Sequence, residues 1–189
     1  MVSLVVFVVS GLVLLVLVGL QFALWLHAAR GGMPPRWEVE ETLAMACSPG
    51  QAFAFVGDPR NDVRHAPQVV AVALDAPGGI RAGVSYRETI RFGGRDRALS
   101  CTITQYDPPR AIGLSCTLGR RPVTGGYRVV PHPVGCAVTA LSGTTYTAAG
   151  ILVAPLARPL TRRVCRADLE RIRAILETPT GAIPAPITE

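Results

Sequence analysis

Between Val84 and Phe92 the sequence VSYRETIRF alternates. Val84, Tyr86, Ile90 and Phe92 share one side, and Ser85, Arg87, Thr89 and Arg91 the other. This is the period of two that a half-buried strand requires. Glu88 falls on the apolar side. In a solid core an unpaired carboxylate costs on the order of several kcal/mol. Burial would raise its pKa and fit it for acid or base work. Two readings are open. Glu88 faces a wet or ligand-filled interior, or it pairs with an Arg on a neighbouring strand or at an open sheet edge. Tyr86 and Tyr127 carry hydroxyls able to hold a carbonyl; their plainer role is rim packing with the hydroxyl in water.

Other chemistry is thinly represented. His27, His65 and His132 have no metal-ligand partner at helical or hairpin spacing, and no CxxC or HxxxH occurs, so no metal site is expected. His65 and His132 read as solvated surface side chains, with the mouth of an interior pocket as the other place either could face. Cys101 and Cys116 fall on strands expected to be neighbours; they read as small buried hydrophobes, close enough to approach each other. All 19 basic side chains are Arg, which excludes a Schiff-base or phosphate-loop lysine. No GxSxG or GxGxxG pattern is present, and no cofactor is expected. The net charge is +6, but the arginines are scattered and stacking aromatics few, so no nucleic-acid partner is expected.

The 189 residues allow one domain plus extensions. From Val2 to Leu26 no side chain is charged, and as a helix that run would span roughly 37 Å, enough for a bilayer. A transmembrane helix is therefore expected over residues 1–29, contacting lipid through residues 2–26. Arg30 and Arg36 follow it, which keeps the C-terminal domain in the cytoplasm by the positive-inside rule. Five cysteines without close pairing fit the same reducing compartment. A Gly- and Pro-rich linker (30–36) leads to a globular domain (37–177). A Pro-rich tail (178–189) reads as disordered.

Within the domain, WEVEETLAMA reads as a first strand. SPGQAFAFVGDP reads as a short helix with Ser48 as N-cap, Pro49 at N1, and Ala52, Phe53 and Val56 buried. RNDVRHAPQ is a second short helical or turn segment. Six strand-like runs follow, separated by Gly/Pro turns. Leu156, Leu160, Val164, Leu169, Ile172 and Leu176 then mark one stripe of a long helix that starts near Pro159.

This order, with SPGQAFAFVGDPRN (48–61), YRETIRFGGR (86–95), ITQYDPPRAIGL (103–114) and the closing LARPLTRRVCRADLERIRAILE (156–177), resembles the START-like (SRPBCC) superfamily. Within it, the likeness is to the polyketide cyclase/dehydrase and lipid-transport group. The resemblance covers about 140 residues. It implies an α+β helix-grip fold: a curved antiparallel sheet of about seven strands wrapped on a long C-terminal helix, two short helices after the first strand, and a cavity between sheet and helix for a hydrophobic ligand. Tyr86, Glu88, Ile90, Cys101, Ile103 and Tyr127 would line that cavity. The expected function is membrane-anchored binding of a lipid, isoprenoid or polyketide-like molecule. The alternatives are a cyclase or dehydratase using Glu88 or a tyrosine as acid/base, and a ligand-free interaction module of a membrane complex. No paired catalytic groups are legible, which ranks the enzyme second.

Overall fold

A computed structural model describes residues 2–29, 36–118, 121–145 and 148–178 of the chain. An N-terminal helix α1 (Val2–Ala29) precedes β1 (Arg36–Met45), α2 (Pro49–Val56), a 3₁₀ turn (Pro59–Asn61) and α3 (Asp62–His65). Six strands follow: β2 (Val69–Ala73), β3 (Ser85–Phe92), β4 (Arg95–Asp107), β5 (Ala111–Leu118), β6 (Arg121–His132) and β7 (Gly135–Thr145). The last element is α4 (Ala148–Glu177). The tail and most of the linker expected from the sequence lie outside the described residues.

Local chemistry starts the elements where it should. Ser48 caps α2, its hydroxyl accepting from the Gln51 N–H at 3.3 Å, while the Gln51 side chain accepts from the Ser48 N–H at 3.0 Å. This reciprocal pair satisfies two otherwise unpaired N–H groups. Pro49 supplies a preset φ at the first turn, and Ala52, Phe53 and Val56 are buried as the spacing predicts.

All seven strands form one antiparallel sheet in the order β1-β7-β6-β5-β4-β3-β2, so sequential hairpins build it and only β1 joins across the chain. On β3, Tyr86 stands opposite Cys101, Glu88 opposite Leu99 and Ile90 opposite Arg97. Tyr86 is buried, Glu88 and Ile90 are partly so, and Ser85, Arg87 and Arg91 are exposed. Glu88 thus shares the inner face.

α4 grips the sheet at one edge, packing on β1 and β7. Its Leu169 and Ile172 are fully buried, in one cluster with Ile103, Ile112, Cys101 and Val138. The helix begins at Ala148, eleven residues before the expected Pro159 start, and runs through Pro155 and Pro159. The upper part of the predicted stripe is not covered: Leu160 is 62 % and Val164 41 % exposed. Helical period marks a stripe but not which part of it meets a partner.

The transmembrane expectation is corrected in part. A helix forms over Val2–Ala29, and Leu12, Leu14, Leu15 and Val16 on successive sides of it are all more than half exposed. Yet among the described residues no helix is long and apolar enough to cross a membrane.

Cys101 and Cys116 are bonded, not simply neighbours. They face each other across β4 and β5 with Cα atoms 4.0 Å apart and form a disulfide. Such bonds persist in oxidising compartments, so this pairing sits against the reducing environment expected from cysteine spacing. Cys47, Cys136 and Cys165 are free. The Cys47 and Cys136 sulfurs lie 3.5 Å apart, but burial pushes the Cys47 thiol up to about 12, which keeps it protonated and slow to exchange. Thiol titration of denatured protein should therefore give three free thiols without reductant and five with it. Five without reductant would show that the pair is open in the cell.

Candidate functional site

The inner face of the sheet is covered unequally. At the α4 edge, Leu43, Met45, Val138 and Ile172 are buried. Away from it, Val84, Ile90, Leu114 and Tyr127 pack on the core yet stay partly exposed. Tyr86, Leu99, Cys101, Ile103 and Ile112 on β3–β5 are buried as well, so the partly exposed side chains form a margin around one continuous core. Of the residues expected to line a cavity, Tyr86, Cys101 and Ile103 sit in the core cluster, and Ile90 and Tyr127 pack on its margin. Glu88 stands between Val72 of β2 and Leu99 of β4 on that margin.

Facing these strands is a polar group built by α3 and α4. His65 is 1 % exposed, which corrects the surface role expected of it. Its Nδ1 lies 3.1 Å from the Asn61 carbonyl and its Nε2 2.9 Å from the Tyr127 hydroxyl. A carbonyl can only accept, so Nδ1 carries the proton and Nε2 accepts from Tyr127. Burial lowers the pKa of His65 to about 4, leaving a neutral ring. Phe55 packs against it with ring centroids 5.7 Å apart. Asp62 Oδ1 stands 3.8 Å from Nε2. From α4, Arg171 donates to Asp168 at 2.9 Å and to the His65 carbonyl at 3.5 Å.

The carboxyls here are pushed toward their neutral forms. Burial raises Asp62 well above its ordinary value, with the Glu88, Asp58 and Asp168 charges adding to it. Burial alone raises Glu88. Asp168 is also raised by burial, against the opposing pull of Gln68 and Arg171. Among the described residues no arginine pairs with Glu88, so the ion-pair reading fails there. Nearby, Tyr86 is 6 % exposed and its hydroxyl is buried with no hydrogen-bond partner. A solid core rarely leaves such a group unpaired.

The Glu88 arrangement has a measurable consequence. A carboxyl whose folded pKa is raised destabilises the fold above its unfolded pKa, where the unfolded chain ionises first, and the loss is complete above the folded pKa. Glu88→Gln should therefore raise stability at pH 8 by roughly 1 kcal/mol, or about 2–4 °C in Tm, and leave it unchanged at pH 4. Thermal unfolding at the two pH values reads this; an equal effect at both would place Glu88 in water.

Three clefts of about 430, 320 and 460 Å³ open elsewhere, and none is lined by Tyr86, Glu88, Cys101, Ile103 or Tyr127. The first crosses the sheet between Glu38, Glu40, Thr104, Ser115 and Arg128. Among the described residues no group of three or more His, Cys, Asp or Glu could hold a metal ion.

Sequence reasoning missed Asp62, His65, Asp168 and Arg171. The one local sign of His65 is its place four residues after Asn61, whose carbonyl fixes the ring. Its other partner, Tyr127, lies 62 positions away. No periodic pattern records a contact of that range.

Residues 36–177 match the family described as polyketide cyclase / dehydrase and lipid transport. No curated protein matches the chain. Among solved structures, the ZhuI aromatase/cyclase from Streptomyces sp. R1128 superposes with a TM-score of 0.62 at 17 % identity, covering 79 % of this chain and 100 % of that one. One di-domain aromatase/cyclase from the steffimycin biosynthetic pathway gives 0.62 at 15 % identity, over 75 % of this chain and 51 % of its own. A protein of Chromobacterium violaceum gives 0.59 at 11 %, over 75 % and 98 %. At these identities the likeness is one of fold, and it fits the seven-stranded sheet closed by α4. With the match spanning the whole domain from β1 to the end of α4, this chain belongs to the polyketide cyclase/dehydrase and lipid-transport family of helix-grip proteins.

Proposed function

We propose that the domain binds a hydrophobic small molecule at the partly covered margin of the sheet's inner face, along β3–β5. The observation that carries this is the Tyr86 hydroxyl, buried without a partner beside a half-buried, unpaired Glu88. Apolar contact with Val84, Ile90 and Leu114 would supply affinity at roughly 25 cal/mol per Å² buried. Tyr86 and Glu88 would set orientation. We further propose that α1, uncharged along its length, seats the protein at the cell membrane. Such a seat puts the domain where hydrophobic ligands dissolve. Native mass spectrometry of the full chain extracted from its host membranes should show a copurified hydrophobic molecule, reduced or absent in Tyr86→Phe. Recovery of a bare chain from the soluble fraction would refute both parts.

A second reading is supported by one contact. The His65–Tyr127 hydrogen bond holds a phenol on the inner face, where a cyclase or dehydratase would hold a carbonyl compound; burial sets the ring near pKa 4 and the phenol well above its ordinary value, so proton transfer there would need the bound compound to shift both. Turnover of a polyketide mimic, lost in Tyr127→Phe, would place it first.

A further inference from the structure

We propose that residues 179–189 of this chain dock in the cleft at the far end of the sheet, where Pro49, Pro109, Arg110, Val130 and Pro131 meet. The cleft holds about 460 Å³ and is walled by the start of α2, the β4–β5 turn and the end of β6. Its apolar walls lie between two arginines, Arg110 and Arg128. Val130 is 44 % exposed there, and Val134, on the β6–β7 turn, 56 %. Apolar surface left in water in this way is a place where a fitted chain gains by burial. The cleft shares no residue with the inner-face site, so the two proposals are independent.

Position, length and chemistry select the occupant. α4 ends at this same end of the sheet: Glu177 Oε1 accepts from the Ala46 N–H at 2.7 Å, and Pro49 follows three residues later. Met45, Cys136 and Pro131 stand in register across β1, β7 and β6. Two strand spacings, about 10 Å, therefore separate the foot of α4 from the cleft. Residues 179–189 lie outside the described residues, and their sequence is PTGAIPAPITE. In polyproline form, at about 3.1 Å per residue, they would reach roughly 34 Å, enough to cross the cleft. Ala182 to Ile187 are all apolar, and the segment carries three prolines. Proline presets φ, so such a segment enters an apolar groove at low entropic cost. Its single charge, Glu189, is opposite in sign to Arg110 and Arg128. Arg110 is free to turn toward it: Asp107 stands 4.0 Å away, at the outer limit of an ion pair, and the Arg110 side chain is 77 % exposed. A bilayer fits the cleft less well. β1 begins at Arg36, on the α1 side of the chain, and reaches the cleft's end of the sheet at Met45, about 30 Å further on.

Photo-crosslinking of the full chain in detergent tests this, with p-benzoylphenylalanine placed at Ile183 or at Ile187 in separate samples. Mixing heavy- and light-isotope chains tells a link within one chain from a link between copies. Each probe should link within one chain to residues 109–111 or 128–131. Val130→Asp, at an exposed position, should lower the yield of that link by about fivefold or more. The double change Arg110→Glu, Arg128→Glu should lower it about two- to fivefold, the span of a surface ion pair. Glu189→Arg added to that double variant should restore the yield, which a folding defect would not allow. Links only between copies, links only to other parts of the chain, no link at all, or a cleft link that Val130→Asp leaves at full yield would each overturn the proposal.

Discussion

Gly126→Ala should unfold the domain or leave it marginal, losing about 3 kcal/mol or more. Gly126 lies on β6 at φ 149°, where an L side chain is strained. It faces Gly113 of β5 across the ladder. An added Cβ would fall on the Ile112 carbonyl oxygen, and would stand 3.1 Å from the Gly113 Cα. Both obstacles are main chain, so no rotamer change relieves them, and the strands must part. Natural domains hold a total of only about 5–15 kcal/mol. The adjacent Gly125 is the control. It has no positive φ, and its Cβ would meet nothing nearer than the Leu141 carbonyl at 3.4 Å. Gly125→Ala should cost under about 1 kcal/mol. Urea unfolding of the pair decides the matter; equal losses would mean that β5 and β6 do not approach as closely as described. The position matters for the site because the next residue is Tyr127. The close approach at Gly126 sets where that side chain leaves the sheet toward His65.

The second large effect is on acid stability. His65 has a folded pKa near 4, against an ordinary value of 6.5. The folded state resists the proton that the unfolded chain accepts. Nothing is lost above pH 6.5; the loss grows as pH falls from 6.5 toward 4 and is complete below that. The full gap corresponds to on the order of 3 kcal/mol at about 1.36 kcal/mol per unit, and His65 is buried deeply enough for little screening by solvent. The carboxyls work in the opposite sense, since Asp62, Glu88 and Asp168 each favour the proton in the fold. Substituting His65 isolates its share. His65→Gln should be less stable at pH 7, through lost packing and a weakened Tyr127 contact. Its further decline from pH 7 to pH 4.5 should be smaller than the parent's by about 2–3 kcal/mol. Denaturant unfolding at those two pH values measures the difference. Parallel declines would mean that the ring protonates in place.

These two residues show different degrees of legibility. Gly125-Gly126 could be read as a weak point in a strand, but which glycine is indispensable depends on the approach of Ile112 from another strand. His65 looked like a surface side chain because the four-residue helix holding it has no periodicity to read. Its burial comes from Phe55, Tyr127 and α4 closing over it. Cys101 and Cys116 could be placed on adjoining strands, whereas their bonding depends on a register in which they stand directly opposite.

What the sequence determined by itself was local order: the run of strands and helices, the Ser48 cap, and the alternation that puts Glu88 on the face of Tyr86 and Ile90. Side-chain period and capping act within a few residues, so they are written in the chain. The tertiary structure alone decided which part of the α4 stripe is covered, why Leu160 stays exposed, and how α3 brings His65 to Tyr127. It also decided that the Tyr86 hydroxyl ends with no acceptor. Each of these is a meeting of residues far apart in the chain, set by the twist of the sheet and the edge on which α4 settles.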